Sequence, residues 1–281
     1  KAAAEAFIAE VDWPVIVKPD SGCGAEATYK LKCQEDLDRF YADYPPYQYI
    51  MEEFITGTIV SFDGVAGPDA VPLFYTSNEF PTPILDIVEE NGDLHYWTVP
   101  QVDEKLKDTG FRTIKAFGAA SRYFHFEFFR LTEDKGNLGK KGDVIALEVN
   151  MRPPGGYTPD MMNFANDIDV YQIWANMVCY DEGRFDPEQR PYASVYASKR
   201  RGSTYVHSNE DIFAAYGQNI LMYEEMPAAL ASAMGDFAFI ARFPSEEEAI
   251  AFVNSVKKQY ADAKHNVYAY LLRENNVTRF S

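Results

Sequence analysis

The chain has 281 residues, 47% of them hydrophobic, enough for one large core or two modest ones. Its formal charge of −17 excludes a nucleic-acid backbone or an anionic membrane surface as the main partner, but not a phosphorylated small molecule, whose local field is set by a few Lys, Arg and metal ions. Cys23, Cys33 and Cys179 are odd in number and lack metal-ligand spacing, so a cytoplasmic location is expected, and no apolar run is long enough to span a bilayer.

The opening KAAAEAFIAEVDWP is Ala-rich and amphipathic. It reads as the middle of a helix rather than a signal peptide and implies that the chain starts inside a longer protein. Val15, Ile16 and Val17 then form a short buried strand that ends in Lys18, before a loop from Ser21 through Gly22, Cys23 and Gly24 to Ala25. Strand character resumes over Thr28 to Leu31, and Leu37, Phe40 and Tyr41 mark a helix ended by Pro45-Pro46. YQYIMEEFITGTIVSFDGVAG gives a strand, a turn at Thr56-Gly57 and a second strand with apolar Ile59, Phe62 and Val65. Residues 67–100, rich in Pro and aromatics, are expected to be irregular or hairpin-like, and EKLKDTGFRTIKAFGAAS to be helical in part, broken near Gly110. Two strands follow, RYFHFEFFRL and VIALEVNMR, joined by the charged turn TEDKGNLGKKGD. DVYQIWANMVCY is a helix with a buried face. Beyond Pro187 the composition shifts to strands in ASVYASKRRGSTYV and a strand running into a helix capped at Ser245, a βα unit.

The two strands share one design. With period 2, Phe124, Phe126 and Phe128 fall on one face and His125 and Glu127 on the other; likewise Ile145, Leu147, Val149 and Met151 oppose Glu148, Asn150 and Arg152. Pro153-Pro154-Gly155-Gly156 then stops the second strand. Side by side and antiparallel, the pair would present Glu127, Glu148 and Asn150 together, oxygen donors suited to one or two Mg²⁺ ions, with Arg152 further along for an anion. A solvated strand face in an acidic protein has the same pattern. Lys18 beside freed loop N–H groups suits phosphate, although no Gly-Lys-Ser/Thr opens a helix as in a Walker A loop. Lys199, Arg200 and Arg201 form the densest basic cluster, either a site for an anionic substrate or a solvated loop.

Taken in order, Lys18 before a Gly loop, Glu52-Glu53-Phe54-Ile55 with Gly57, a Glu127 strand and LEVNMRPPGG, the chain resembles the ATP-grasp superfamily over about residues 10–180, and within it the carboxylate–amine ligase and carbamoyl-phosphate-synthase-like branch. The resemblance implies an α+β fold: a small lobe (1–56) and a large lobe (57–185) gripping ATP, a smaller C-terminal α/β subdomain (186–281), and a further N-terminal domain. It implies that Lys18 contacts ATP, that Ser21, Gly22, Cys23, Gly24 and Ala25 close over the phosphates, and that the segment Glu52, Glu53, Phe54 and Ile55 holds the adenine. Glu127, Glu148 and Asn150 would ligate Mg²⁺ (or Mn²⁺), and Arg152 would steady the transferring phosphoryl group. The acid that binds ribose in many relatives is replaced by Thr58-Ile59, with Asp63 as a candidate substitute. His125 stands where some relatives carry Arg, either for phosphoryl stabilisation or for packing. The implied reaction joins a small carboxylate to an amine through an acyl phosphate. A carbamoyl-phosphate-synthase-like or carboxylase-like subunit acting on bicarbonate and a nucleotide-binding module without chemistry are the alternatives, and small molecules rather than nucleic acid or membrane are the expected partners.

Overall fold

A computed structural model describes residues 1–21, 27–44, 46, 48–185 and 191–259. The chain opens with α1 (Ala2–Val11), β1 (Val15–Pro19), β2 (Tyr29–Leu31), α2 (Gln34–Ala42) and β3 (Tyr49–Glu53), whose strands form an antiparallel sheet in the order β2-β1-β3. Alternation along β1 decides its faces. Val15 and Val17 join Ala4 and Ile8 of α1, Leu31 and Leu37 in one core, which leaves Ile16 and Lys18 for the opposite face. The α2 helix stops at Ala42, before Pro45, in keeping with the missing proline N–H.

The rest of the described chain builds one nine-stranded sheet, every pairing antiparallel. Its elements are β4 (Gly57–Ala66), β5 (Pro72–Thr76), β6 (Asn78–Phe80), α3 (Ile84–Glu90), β7 (His95–Thr98), α4 (Glu104–Phe117), β8 (Arg122–Leu131), β9 (Val144–Asn150), α5 (Thr158–Asn166), α6 (Val170–Tyr180), β10 (Ala193–Lys199), α7 (Asn209–Tyr216), β11 (Ile220–Glu225), α8 (Ala228–Met234), β12 (Phe237–Phe243) and α9 (Glu246–Lys257). The strand order is β11-β12-β10-β7-β6-β4-β8-β9, with β5 paired to β4. Because β10 pairs with β7, hydrogen bonds cross residue 185, where the C-terminal subdomain was expected to begin. β3 and β4 belong to different sheets, so residues 54–56 connect two lobes rather than turning a hairpin.

The large sheet is covered on both faces. α4 packs over Phe62, Phe124, Phe126 and Phe128, and α7 and α9 over Trp97, Val195, Phe239 and Phe243 on the same side. On the other side α5 and α6 lie over Tyr96, Tyr196, Val65 and Phe74. Arg242 of β12 ties down the end of α5 through the Phe164 carbonyl at 3.1 Å and the Asp167 carboxylate, a cation at a helix C-terminus.

Several expectations need correction. Residues 67–100 follow the hairpin-like alternative rather than the irregular one: β5 turns back antiparallel on β4 and β7 pairs antiparallel with β6, but α3, which was not expected, lies between them. α4 runs unbroken through Gly110, which is buried because a β-carbon there would lie 2.3 Å from the Phe62 ring; the glycine makes room rather than breaking a helix. α5 follows directly on the Pro-Pro-Gly-Gly turn, where no helix was expected. Among the described residues no helix is long and apolar enough to cross a membrane.

Candidate functional site

The site is built on β8 and β9, and the predicted alternation holds on the first but not on the second. On β8, Phe124, Phe126 and Phe128 are fully buried under α4, while His125 and Glu127 turn to the opposite face. On β9 the register pairs His125 with Asn150, Phe126 with Val149 and Glu127 with Glu148, but then pairs Phe128 with Ala146. This bulge inserts Leu147. Two consecutive residues, Leu147 and Glu148, therefore oppose Glu127 on the site face, and Leu147, like Phe129, packs against the core cluster that holds Ile59 and Phe80. Val149 and Met151 pack on the α4 side. The expectation that Leu147 shares a face with Val149 and Met151 is thus corrected. Arg152 also lies beyond the strand, which ends at Asn150; it is exposed, and its guanidinium donates to the Pro153 carbonyl at 2.9 Å, since prolines at 153 and 154 cannot continue the ladder. In the turn that follows, Gly156 adopts φ 58°, and a β-carbon there would lie 2.7 Å from Met234.

Glu127, Glu148 and Asn150 therefore come together on one face. Directly opposed carboxylates repel. Glu127 is partly compensated, because the Nε2 of His125 reaches its Oε1 at 3.3 Å. Glu148 is half-buried and without a hydrogen-bond or ion-pair partner among the described residues. The Nδ2 of Asn150 is likewise buried and has no hydrogen-bond partner among the described residues. Among the described residues no three His, Cys, Asp or Glu side chains gather as a metal group. Two carboxylates and an amide suit a cation that takes its remaining ligands from water and phosphate, as Mg²⁺ does.

His125 is held from both sides. Burial by itself would push its imidazole down, but the charge and hydrogen bond of Asp63 (Nδ1 to Oδ1, 2.5 Å), together with Glu127, outweigh this and raise its pKa to about 10. Both ring N–H groups donate to carboxylates, so none is left for a phosphoryl group. Asp63 is fully buried and also accepts from Ser61 and Asn78, so it does not reach a ribose, contrary to the substitute role considered for it.

Lys18 approaches from the small lobe. Its Nζ lies 2.8 Å from a Glu52 carboxylate oxygen and donates at 3.3 Å to the main-chain oxygen of Leu147, the bulge residue. Glu53 pairs with Lys135 of the β8–β9 turn at 3.2 Å, and Lys30 sits 3.6 Å over the Phe54 ring, next to half-buried Ile55. Ser21 Oγ donates to Asp20 at 3.4 Å, whereas Gly22, Cys23, Gly24 and Ala25 lie outside the described residues. The structure thus brings Lys18, Glu52 and the β9 bulge together and leaves Arg152 on an exposed turn. The basic cluster is neither a solvated loop nor an open anion site. Lys199 and Arg200 are buried; Lys199 donates to the His207 carbonyl, and Arg200 caps α8 through Ala231 and Ser232 carbonyls, while Arg201 is exposed and paired with Glu225. What the sequence reading missed is the polar group behind His125, namely Ser61, Asn78 and Thr98. Ser61 and Asp63 alternate in an otherwise apolar strand, the same period-2 signal that singled out β8.

No protein-family model and no curated protein matches the chain. Solved structures do. The chain is similar to the L-amino acid ligase from Bacillus licheniformis (16% identity, TM-score 0.64, covering 89% of this chain and 64% of that one). It is also similar to the biotin carboxylase domain of the Hydrogenobacter thermophilus 2-oxoglutarate carboxylase (13%, TM-score 0.61, 91% and 58%) and to phosphoribosylglycinamide synthetase from Anaerococcus prevotii (15%, TM-score 0.55, 91% and 65%). It therefore spans less than two thirds of the length of each. Two lobes, a Lys-bearing small sheet facing a carboxylate-bearing large one, and these likenesses agree, and the protein has the ATP-grasp fold.

Proposed function

We propose that the chain is the nucleotide-gripping part of an ATP- and Mg²⁺-dependent ligase that activates a small carboxylate as an acyl phosphate and joins it to an amine. One observation carries the reading: the β8–β9 register sets Glu127, Glu148 and Asn150 on one face, and Lys18 of the other lobe reaches that same strand. Glu127, Glu148 and Asn150 would hold the cation. When bound, Mg²⁺ neutralises the phosphate oxygens that gain charge during transfer. Lys18 exchanges Glu52 and the Leu147 oxygen for a phosphate, the backbone of Glu53 to Ile55 offers hydrogen bonds to the adenine edge, and Arg152, on its exposed turn, is free to swing toward an acyl phosphate. A substrate carboxylate oxygen attacks the γ-phosphorus as the bond to ADP breaks. The amine nitrogen then attacks the acyl carbon, phosphate leaves with the bonding pair, and the nitrogen loses a proton. Because positioning and charge neutralisation suffice, no side-chain nucleophile is needed. The same reading places the enzyme in the cytoplasm, where Cys33 and Cys179, both free thiols, stay reduced.

The test is thermal stabilisation by ATP and MgCl₂, singly and together, in the wild type and in Glu148→Ala, followed by phosphate release with amino acids, other small carboxylates and bicarbonate. Stabilisation that needs both additives and is lost in Glu148→Ala supports the reading. Unchanged stabilisation in the variant would sink the metal assignment, and phosphate release with bicarbonate alone would replace the ligase by a carboxylase-type activity.

A further inference from the structure

Behind His125 lies a chain of buried polar groups that the reaction itself does not touch. Asp63 accepts three donors: His125 Nδ1 on one oxygen, and on the other Ser61 Oγ and Asn78 Nδ2, the latter at 2.9 Å. The Asn78 main-chain N–H donates to Ser61 Oγ at 3.0 Å, and Asn78 Oδ1 accepts from Thr98 Oγ1 at 2.8 Å. The chain thus crosses β7, β6, β4 and β8, and none of Ser61, Asp63, Asn78 or Thr98 is more than 1% exposed. On the other side of the imidazole, Nε2 meets Glu127.

Such a network is not needed for stability, because well-packed apolar side chains of similar volume generally hold a core as well or better. It does restrict a rotation. An imidazole pinned at Nδ1 by a carboxylate that is itself fixed by two further donors has one orientation, and that orientation aims Nε2 at Glu127. Outer partners of this kind set the direction of a metal-binding carboxylate. We propose that Asp63 is a positioning residue: through His125, and supported by Ser61, Asn78 and Thr98, it holds the Glu127 carboxylate in its cation-binding orientation before nucleotide arrives. The inference rests on the ligase reading in one respect, that Glu127 binds the cation.

The test measures Mn²⁺ binding by electron paramagnetic resonance, at saturating ADP, for the wild type, Asp63→Asn and Tyr196→Phe, together with turnover. Asp63→Asn keeps the shape but loses the charge that pins His125, so Mn²⁺ should bind roughly 10- to 100-fold more weakly, the usual cost of losing an outer partner. Turnover should fall while KM for ATP stays near its wild-type value. Tyr196→Phe removes another buried hydrogen bond, to the Met234 carbonyl, and should leave Mn²⁺ binding unchanged. Equal Mn²⁺ affinity in Asp63→Asn and wild type overturns the positioning role and leaves the ligase reading standing, as does an equal loss in Tyr196→Phe. Failure of the wild type to bind Mn²⁺ with ADP overturns both. Should Asp63→Asn not fold, Ser61→Ala removes one donor from the same carboxylate and should weaken Mn²⁺ in the same direction by a smaller factor; no change in it overturns the proposal.

Discussion

In the large lobe, Asp63 and His125 are buried and bonded to partners drawn from three strands, β4, β6 and β8; in the small lobe, Lys18 and Glu52 meet at 2.8 Å on a half-open face, and among the described residues the other anchor of Lys18 is one carbonyl of the opposite lobe. The difference is one of exchangeability. A charge fixed inside a sheet cannot leave its partner without exposing an unpaired ion to the core, which costs several kcal/mol. A charge held by a half-exposed partner is worth about 0–1 kcal/mol and is surrendered readily to a better anion. The polar group of the large lobe is therefore fixed, whereas the Lys18–Glu52 pair of the small lobe is exchangeable.

Four measurements sharpen or break this contrast. The largest effect is expected at Phe126, fully buried directly behind the platform: Phe126→Ala should lower unfolding stability by about 3–5 kcal/mol in chemical denaturation, and a loss well under this would show that the aromatic layer under α4 can collapse. Gly110→Ala should cost about 1–3 kcal/mol although alanine favours helix, because its methyl group enters the Phe62 ring; stabilisation instead would mean that α4 shifts freely over the sheet. The third uses pH. The folded pKa of His125, about 10, lies above its ordinary value of about 6.5, so the protonated ring contributes its full stabilisation below the ordinary value and loses it as pH rises through about 10. The gap in stability between wild type and His125→Gln should accordingly be widest near pH 6 and shrink toward pH 10, and a gap independent of pH would break the account of a cation held between two carboxylates. The smallest change is expected for Glu52→Gln: stability should move by no more than about 1 kcal/mol, since the pair is 21% and 40% exposed, while ATP binding tightens or holds because Lys18 is released. A large stability loss there would make the small lobe as fixed as the large one.

The platform was legible because both of its strands announce themselves by alternation. Phe124, Phe126 and Phe128 opposed to His125 and Glu127 is a period-2 pattern that only a two-faced strand explains. Lys18 at the end of Val15-Ile16-Val17 was legible for a similar reason, an apolar run ending in a charge. Ser61 and Asp63 carried the same signal but sat among so many apolar neighbours that they read as a plain buried strand. The short elements of residues 67–100 were legible only as hairpin-like, without bounds or the helix between them, because three- to five-residue strands owe their structure to the strands beside them.

By itself, then, the sequence determined which residues face which way along β8 and which side of β9 Glu148 and Asn150 take, and that carboxylates, an amide and a lysine stand in the order of the ATP-grasp fold. Only the tertiary structure decided the register between strands. The bulge at Leu147 shifts that register by one residue, turns Leu147 to the site face and places its carbonyl where Lys18 takes it, and no periodicity within one strand encodes how it pairs with the next. The same holds for His125: a lone histidine on a strand is ambiguous until folding brings Asp63 from one neighbouring strand against it, with Glu127 beside it on its own, and burial in a sheet leaves the ring no other partners.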